Sequence, residues 1–296
     1  MNDKIKKNLD LSPPDFENYR NYIRQICGLC VPDEKAYLVK QRLEPLVISA
    51  GSADFAEFYK KLLGSKSTYL RDQVIAAITT NETSFFRDGH PFDTFKKVVL
   101  PILGELIKTR TVRREQRKGP KVSIWSSGVS TGQEAYSLAM LIHEFCQQNR
   151  SKGISPYDFG ILASDISSLV LSKAIAGEYS ESDVSRGLPE GFQRKYFQKV
   201  HSRWVVKEEI RTMVEFRRIN LIDSFALLKT FDVVFCRNVL IYFDDEIKKR
   251  IIGQFYNILA QDGVLFLGAS ELLYGVDQFN SMQQGNTIFY KKGIRS

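Results

Sequence analysis

Residues 122–134 read Val122-Ser123-Ile124-Trp125-Ser126-Ser127-Gly128-Val129-Ser130-Thr131-Gly132-Gln133-Glu134, and this stretch decides the fold. A short apolar run, 122–126, enters a turn carrying two glycines, and an amphipathic helix follows over about 132–148. A strand that feeds a helix through glycines opens a βαβ unit. Three further runs, 159–164, 232–236 and 263–268, read as buried parallel strands, with helices over about 167–176 and 244–260. The segments 279–283 and 287–291, joined by Gln284-Gly285-Asn286, read as a hairpin closing the sheet edge. Between the second and third strands, 196–216 alternates polar and apolar residues (Trp204, Val206, Ile210, Met213) and predicts a small antiparallel β insertion.

Upstream the period changes. Phe16, Tyr19, Ile23 and Ile26, then Tyr37, Leu38, Leu43, Leu46 and Val47, recur at helical spacing, with Gly51-Ser52 and Gly64-Ser65 as breaks. The expected organisation is an all-helical domain over 1–78 followed by an α/β domain over 79–296. At 43% apolar content the chain can bury a core of that size.

A net charge of +8 invites a nucleic-acid reading. Much of it sits in Lys108, Arg110, Arg113, Arg114, Arg117, Lys118 and Lys121, opposed only by Glu115 and without interleaved aromatics for base stacking. A solvated helix end and loop is expected there, and no nucleic-acid partner. No apolar run approaches the ~20 residues of a membrane span. The basic start lacks an apolar stretch behind it, so a cytoplasmic protein is expected. Cys27, Cys30, Cys146 and Cys236 are scattered, and Cys27-Gly28-Leu29-Cys30 has no second pair, so neither a disulfide nor a metal site is expected.

Five segments can carry chemistry, and each has a plain alternative. The Gly128 to Gly132 turn offers backbone N–H groups to an anion or merely packs a helix on a strand. It departs from G-x-G-x-x-G, having serine at the first glycine position, which weakens a dinucleotide reading. Ala163-Ser164-Asp165-Ile166 ends the second strand with a carboxylate suited to a ribose diol or to a helix N-cap. Cys236-Arg237-Asn238-Val239-Leu240-Ile241-Tyr242-Phe243 ends another, where Asn238 either bonds a ligand or caps local backbone. Asn220-Leu221 poses the same choice. Asn81-Glu82-Thr83-Ser84-Phe85-Phe86-Arg87 joins the domains, and its phenylalanines either serve a site or anchor the connection.

Asn81 to Arg87, Trp125-Ser126 with Ser130-Thr131-Gly132, Ser164-Asp165-Ile166 and Cys236 to Phe243, in this order and spacing, resemble the CheR methyltransferases, and the resemblance runs from about residue 14 to 291. It implies a class I (Rossmann-like) methyltransferase sheet that uses S-adenosylmethionine and releases S-adenosylhomocysteine. It implies that Asn81, Thr83 and Arg87 reach the cofactor from the connection and that Ser127 lines it. Glu134 would hold its methionine portion, Asp165 its ribose, and Asn220, Leu221, Asn238 and Val239 the rest of the nucleoside. Arg87 and Tyr242 would lie nearest the transferable methyl group. The acceptor implied is the γ-carboxylate of glutamates on cytoplasmic helices of chemotaxis receptors. That carboxylate is ionised at neutral pH and needs no base, so His90, His143 and His201 are read as structural.

Lys35, Lys40 and Arg42 form a basic face that could dock acidic receptor helices. The short turn at 199–203 lacks glycines, so a receptor pentapeptide tether is not expected; nor is membrane insertion, and a monomer is. Competing readings are a related methyltransferase acting in another signalling pathway, on RNA or on a small molecule, a non-catalytic binding module, and a nicotinamide oxidoreductase. The connection motif disfavours the first, and the intact Arg87, Glu134, Asp165, Asn238 and Tyr242 the second. The missing glycine disfavours the third.

Overall fold

The structure, a computed structural model, describes residues 9–64, 68–112, 119–273 and 278–293. Arg113, Arg114, Arg117 and Lys118 of the basic run lie outside the described residues. The chain divides into two compact units, one of Met1–Thr80 with Tyr242–Ile247 and one of the remainder.

The first unit is helical: α1 Pro13–Cys27, α2 Ala36–Ser49, α3 Phe55–Gly64 and α4 Thr68–Ile78. The Ser12 hydroxyl accepts the Asp15 N–H, and prolines at the next two positions lack only N–H groups that a first turn leaves unused. Gly28 stops α1 in the left-handed conformation, φ 75°. Phe16, Tyr19, Ile23 and Ile26 are buried as their spacing predicts, and the Tyr19 hydroxyl donates to the Phe55 carbonyl at 2.7 Å. Tyr37 differs from expectation and is 64% exposed. The buried stripe of α2 is Val39, Leu43 and Val47, four residues apart, and Tyr37 lies off it.

The second unit opens with α5 His90–Thr94, a π-helical turn and α6 Leu100–Val112. Its strands are β1 Val122–Ser127, β2 Phe159–Asp165, β3 Glu178–Tyr179, β4 Phe197–Val200 and β5 Arg203–Val206, then β6 Val214–Arg218, β7 Phe231–Cys236, β8 Leu259–Leu267, β9 Phe279–Gln284 and β10 Thr287–Lys292. Helices α7 Gln133–Gln148, α8 Ser168–Ala176, α9 Glu181–Ser185, α10 Glu190–Tyr196, α11 Glu208–Arg211 and α12 Asp245–Ile258 complete the order. Among the described residues seven strands form one sheet, ordered β6-β2-β1-β7-β8-β10-β9, and three form a second, β3-β5-β4. All pairings from β6 to β8 are parallel, and the β9–β10 hairpin closes the edge antiparallel. This is a Rossmann-like, mostly parallel sheet, and in chain order a helical unit precedes it.

One strand lies elsewhere than expected. The alternation over 196–216 places residues 214–216 in the antiparallel insertion, but β6 pairs parallel with β2 and extends the main sheet. The third strand of the small sheet is β3, antiparallel to β5. Alternation identifies a strand but not its partner, and a two-residue strand is too short to show any period. Strand β8 also starts earlier than expected, at Leu259, so α12 ends at Ile258.

Burial explains the strength of the strand signal. Every residue of β1 and β7 is buried, as parallel strands covered on both faces must be. Trp125 packs against Phe225, Phe231 and Phe255, while on β7 Phe235 stacks on Phe266 with ring centroids 4.4 Å apart. The chain leaves β1 for β2 and β6 on one side and returns to β7 on the other. Ser127 is level with both Ser164 and Cys236, so the loops after β1, β2 and β7 rise together at a topological switch point.

Candidate active site

The turn after β1 is built on left-handed backbone at Gly128 (φ 68°), Ser130 (φ 51°) and Gly132 (φ 94°). A Cβ on Gly128 would lie 2.4 Å from Val239 Cγ2, so glycine brings this backbone against the loop after β7. The Val129 N–H donates to the Ser164 carbonyl at 3.0 Å, and the Ser130 N–H to Asp165 Oδ2 at 2.9 Å. Asp165 Oδ1 accepts the Ser167 N–H at 2.9 Å. Its carboxylate therefore fastens the turn after β1 to the turn after β2, and each oxygen keeps acceptor capacity for a hydroxyl pair. Burial pushes the Asp165 carboxyl up, opposed by the N–H donors of Ser167, Ser130 and Ile166.

Glu134, in the first turn of α7, accepts the Ser126 hydroxyl at 2.7 Å on Oε1 and Arg237 Nη1 at 3.1 Å on Oε2. Arg237 is fully buried. Its Nη2 donates to Asp88 Oδ2 at 2.7 Å and to the Arg87 carbonyl at 3.0 Å, and its guanidinium lies 5.4 Å from the Phe92 ring centroid. Burial pushes the Glu134 carboxyl up against the pull of Arg237.

The segment 81–88 straps onto this rim. The Asn81 carbonyl accepts the Ser130 hydroxyl at 2.9 Å, and the Phe86 N–H donates to the Ser137 hydroxyl at 3.0 Å. Arg87 Nη1 donates to the Glu82 carbonyl at 3.0 Å, while Glu82 pairs with Arg186 at 2.6 Å. Phe85 is wholly buried against Tyr179 and Phe197, so the phenylalanines anchor the strap. Phe86 (φ 48°) and Asp88 (φ 66°) hold backbone conformations that side chains disfavour, a kind of strain that clusters at sites.

Asn238 leaves β7 in the left-handed region, φ 58°, beside Val239. The Ile219 N–H donates to the Asp165 carbonyl at 3.1 Å, which brings the Asn220-Leu221 corner beside the end of β2. Asn81, Arg87, Glu134, Asp165, Asn220, Leu221, Asn238 and Val239 thus belong to strands, loops and strap of one rim, and Thr83 lies half-buried in the strap. Ser127 is turned inward: its hydroxyl donates to the Phe235 carbonyl at 3.0 Å, so only its backbone can border a ligand.

Tyr242 belongs to the first unit, where its carbonyl accepts the Cys30 N–H at 2.9 Å. Lys35 and Lys40 lie on the same unit, the latter 3.8 Å from Asp10. Arg42 is engaged at the end of α4, with Nη1 donating to the Ile78 carbonyl at 2.5 Å.

Sequence reasoning missed Arg237 and its partner Asp88, although an arginine ending an otherwise apolar strand was a usable signal. It also gave no role to Ser126.

The rim fits a nucleoside joined to a zwitterionic tail. Asp165 offers acceptors to a vicinal diol, Glu134 and Arg237 offer both signs of charge, and Gly128 admits close approach. Arg237 Nε and Ser167 Oγ are buried at this rim with no hydrogen-bond partner among the described residues. No helix among the described residues is long and apolar enough to cross a membrane.

Residues 81–288 match the family model of the CheR methyltransferase SAM-binding domain, and residues 14–79 that of the CheR methyltransferase all-alpha domain. The chain is 39% identical over 279 residues to the chemotaxis protein methyltransferase Cher2 of Pseudomonas putida, covering 94% of this chain and 97% of that one. It is 42% identical, with the same coverage, to chemotaxis protein methyltransferase 1 of Pseudomonas aeruginosa. A chemotaxis protein methyltransferase of Vibrio parahaemolyticus is 36% identical over 285 residues, 96% of this chain and 98% of that one.

Proposed function

This chain belongs to the CheR methyltransferase family, and from that premise we propose that it esterifies glutamate γ-carboxylates on cytoplasmic helices of chemotaxis receptors. S-adenosylmethionine is its cofactor and S-adenosylhomocysteine the product. The observation that carries the reading is the convergence of Asp165, Glu134, Arg237 and the Asn81 strap on the carboxyl ends of β1, β2 and β7.

When bound, the cofactor supplies an electrophilic methyl group on a sulfonium. The chain's own residues bind and orient. Asp165 accepts the ribose hydroxyls, and Glu134 pairs with the ammonium of the methionine portion. Asn220, Leu221, Asn238 and Val239 border the nucleoside, with the Ser127 backbone beside them, while Asn81, Thr83 and Arg87 cover it from the strap. Arg87 orients the incoming carboxylate, and Tyr242 carries over from the family motif as the second methyl-transfer residue. The acceptor needs no general base, because a glutamate with pKa near ~4.3 is already ionised at neutral pH. Alignment then supplies most of the rate, and positioning of this kind contributes roughly 7–11 kcal/mol.

Lys35, Lys40 and Arg42 mark the side that greets acidic receptor helices. The enzyme works in the cytoplasm as a monomer, without a receptor-tail pentapeptide: β4 and β5 are joined by only His201 and Ser202. Calorimetry with such a pentapeptide should give no heat of binding, and tight binding would overturn that part.

Incubation with tritiated S-adenosylmethionine, receptor membranes and bulk RNA tests the whole reading. Base-labile label confined to receptors, mapped to glutamate by mass spectrometry, is expected. Label in RNA, or label stable to base, overturns it.

A further inference from the structure

Glu271 follows β8, lies 33 residues beyond Asn238, and belongs to none of the motifs that carry the family resemblance. It is buried, and its carboxylate accepts four backbone N–H groups. Oε2 accepts from Asn238 and from Gly268, both at 2.7 Å, and Oε1 from Val239 at 2.8 Å and Ile241 at 3.2 Å. Three of these donors come from the turn that leaves β7. Successive N–H groups converging around a left-handed residue form a concavity suited to an anion, and Asn238 at φ 58° is that residue. Gly268 completes the arrangement: a Cβ there would lie 2.6 Å from Glu271 Oε2 and 2.9 Å from the Asn238 nitrogen.

We infer that Glu271 is a positioning residue for the cofactor: its carboxylate fixes the 238–241 turn in the one shape that turns Asn238 and Val239 toward the nucleoside. This rests on the reading that those two residues border the nucleoside. The requirement is for a carboxylate and not merely a polar side chain of that length. A glutamine has one acceptor oxygen, and its NH₂ group would face N–H donors. Glutamine should therefore be no better tolerated than alanine.

The test is calorimetric titration of full-length variants with S-adenosylhomocysteine, paired with steady-state methylation over a range of S-adenosylmethionine concentrations. Asn238→Ala should weaken binding. Glu271→Gln should weaken it by about tenfold, as loss of charge-assisted hydrogen bonds does, and by no less than Glu271→Ala does. The KM for S-adenosylmethionine should rise by a similar factor, well beyond any fall in kcat, at unchanged binding stoichiometry. Gly268→Ala, which pushes the same atoms apart, should give the same split and stands in if Glu271→Gln does not fold.

Weakened binding in Asn238→Ala but wild-type binding in Glu271→Gln would overturn the inference alone. So would a kcat that falls in step with the folded fraction, which assigns Glu271 to general stability. Wild-type binding in Asn238→Ala would remove the reading underneath, and the inference with it.

Discussion

Arg87 commits Nη1 to the Glu82 carbonyl within its own strap, and a guanidinium has five donors. The strap therefore fixes the head of a side chain that can still grip a carboxylate. Arg87→Ala should lower kcat/KM for receptor methylation on the order of 100-fold, the scale of losing alignment of reacting groups. Tyr242→Phe should cost less, since it keeps the ring. Turnover measured beside S-adenosylhomocysteine affinity checks both, and two fully active variants would refute the assignments. Thiol chemistry offers a second check on single residues. Burial pushes the Cys27 thiol up to about 11 and the Cys146 thiol up to about 12, and holds Cys236 well above its usual range, whereas Cys30 is exposed. Thiolate is the reactive form, so a disulfide reagent at pH 8 should modify one thiol rapidly in the native protein, and Cys30→Ser should abolish that phase. The raised thiols also carry a sign for stability. Their neutral forms favour the fold fully at neutral pH, and that contribution fades as pH climbs from about 9 through 11 and 12.

The strap is the element on which the rim depends, and Gly187 is where the connection between α9 and α10 meets it. Gly187 sits at φ 89°, and a Cβ would fall 2.2 Å from the Phe85 carbonyl oxygen. Gly187→Ala should therefore cost at least about 2 kcal/mol, combining left-handed strain with a backbone clash. Thermal unfolding and cofactor titration would read this as a lower Tm and weaker binding, and a variant matching wild type in both would show the contact to be slack. Elements differ in how legible they were. The central strands announced themselves because burial on both faces makes β1 and β7 continuous apolar runs. The boundary of the small sheet did not, since the alternation over 196–216 is equally good for β5, which pairs antiparallel, and for β6, which pairs parallel with β2. Of the candidate rim, the residues within contiguous motifs could be picked out of the sequence as candidates. Glu271 could not, because a carboxylate that accepts backbone N–H groups is indifferent to which residues supply them and leaves no spacing in the sequence. Arg237 was quoted in its motif but given no task, because its partners Asp88 and Glu134 come from distant segments.

At the scale of the whole molecule the net charge of +8 has to meet a partner that is acidic if receptor methylation helices are the substrate. Attraction of that kind acts mainly on encounter and is screened over a Debye length of about 8 Å at physiological salt. The three basic residues read from the sequence do not stand equally. Lys35 is exposed and Lys40 keeps only a 3.8 Å approach to Asp10. Arg42 instead donates to the carbonyls of Ile78 and Thr79, groups that the end of α4 leaves without helical partners. Charge and structure therefore separate by mutation. Reversing both lysines, Lys35→Glu with Lys40→Glu, should slow receptor methylation roughly tenfold at low salt and flatten its dependence on ionic strength, with Tm little changed. Arg42→Ala should do the opposite, lowering stability by about 1–2 kcal/mol through the lost carbonyl contacts while the salt dependence stays steep. Initial rates over a salt series, with melting curves for each variant, distinguish the two. An unchanged salt slope in the double reversal would mean that receptor helices approach some other surface of the protein.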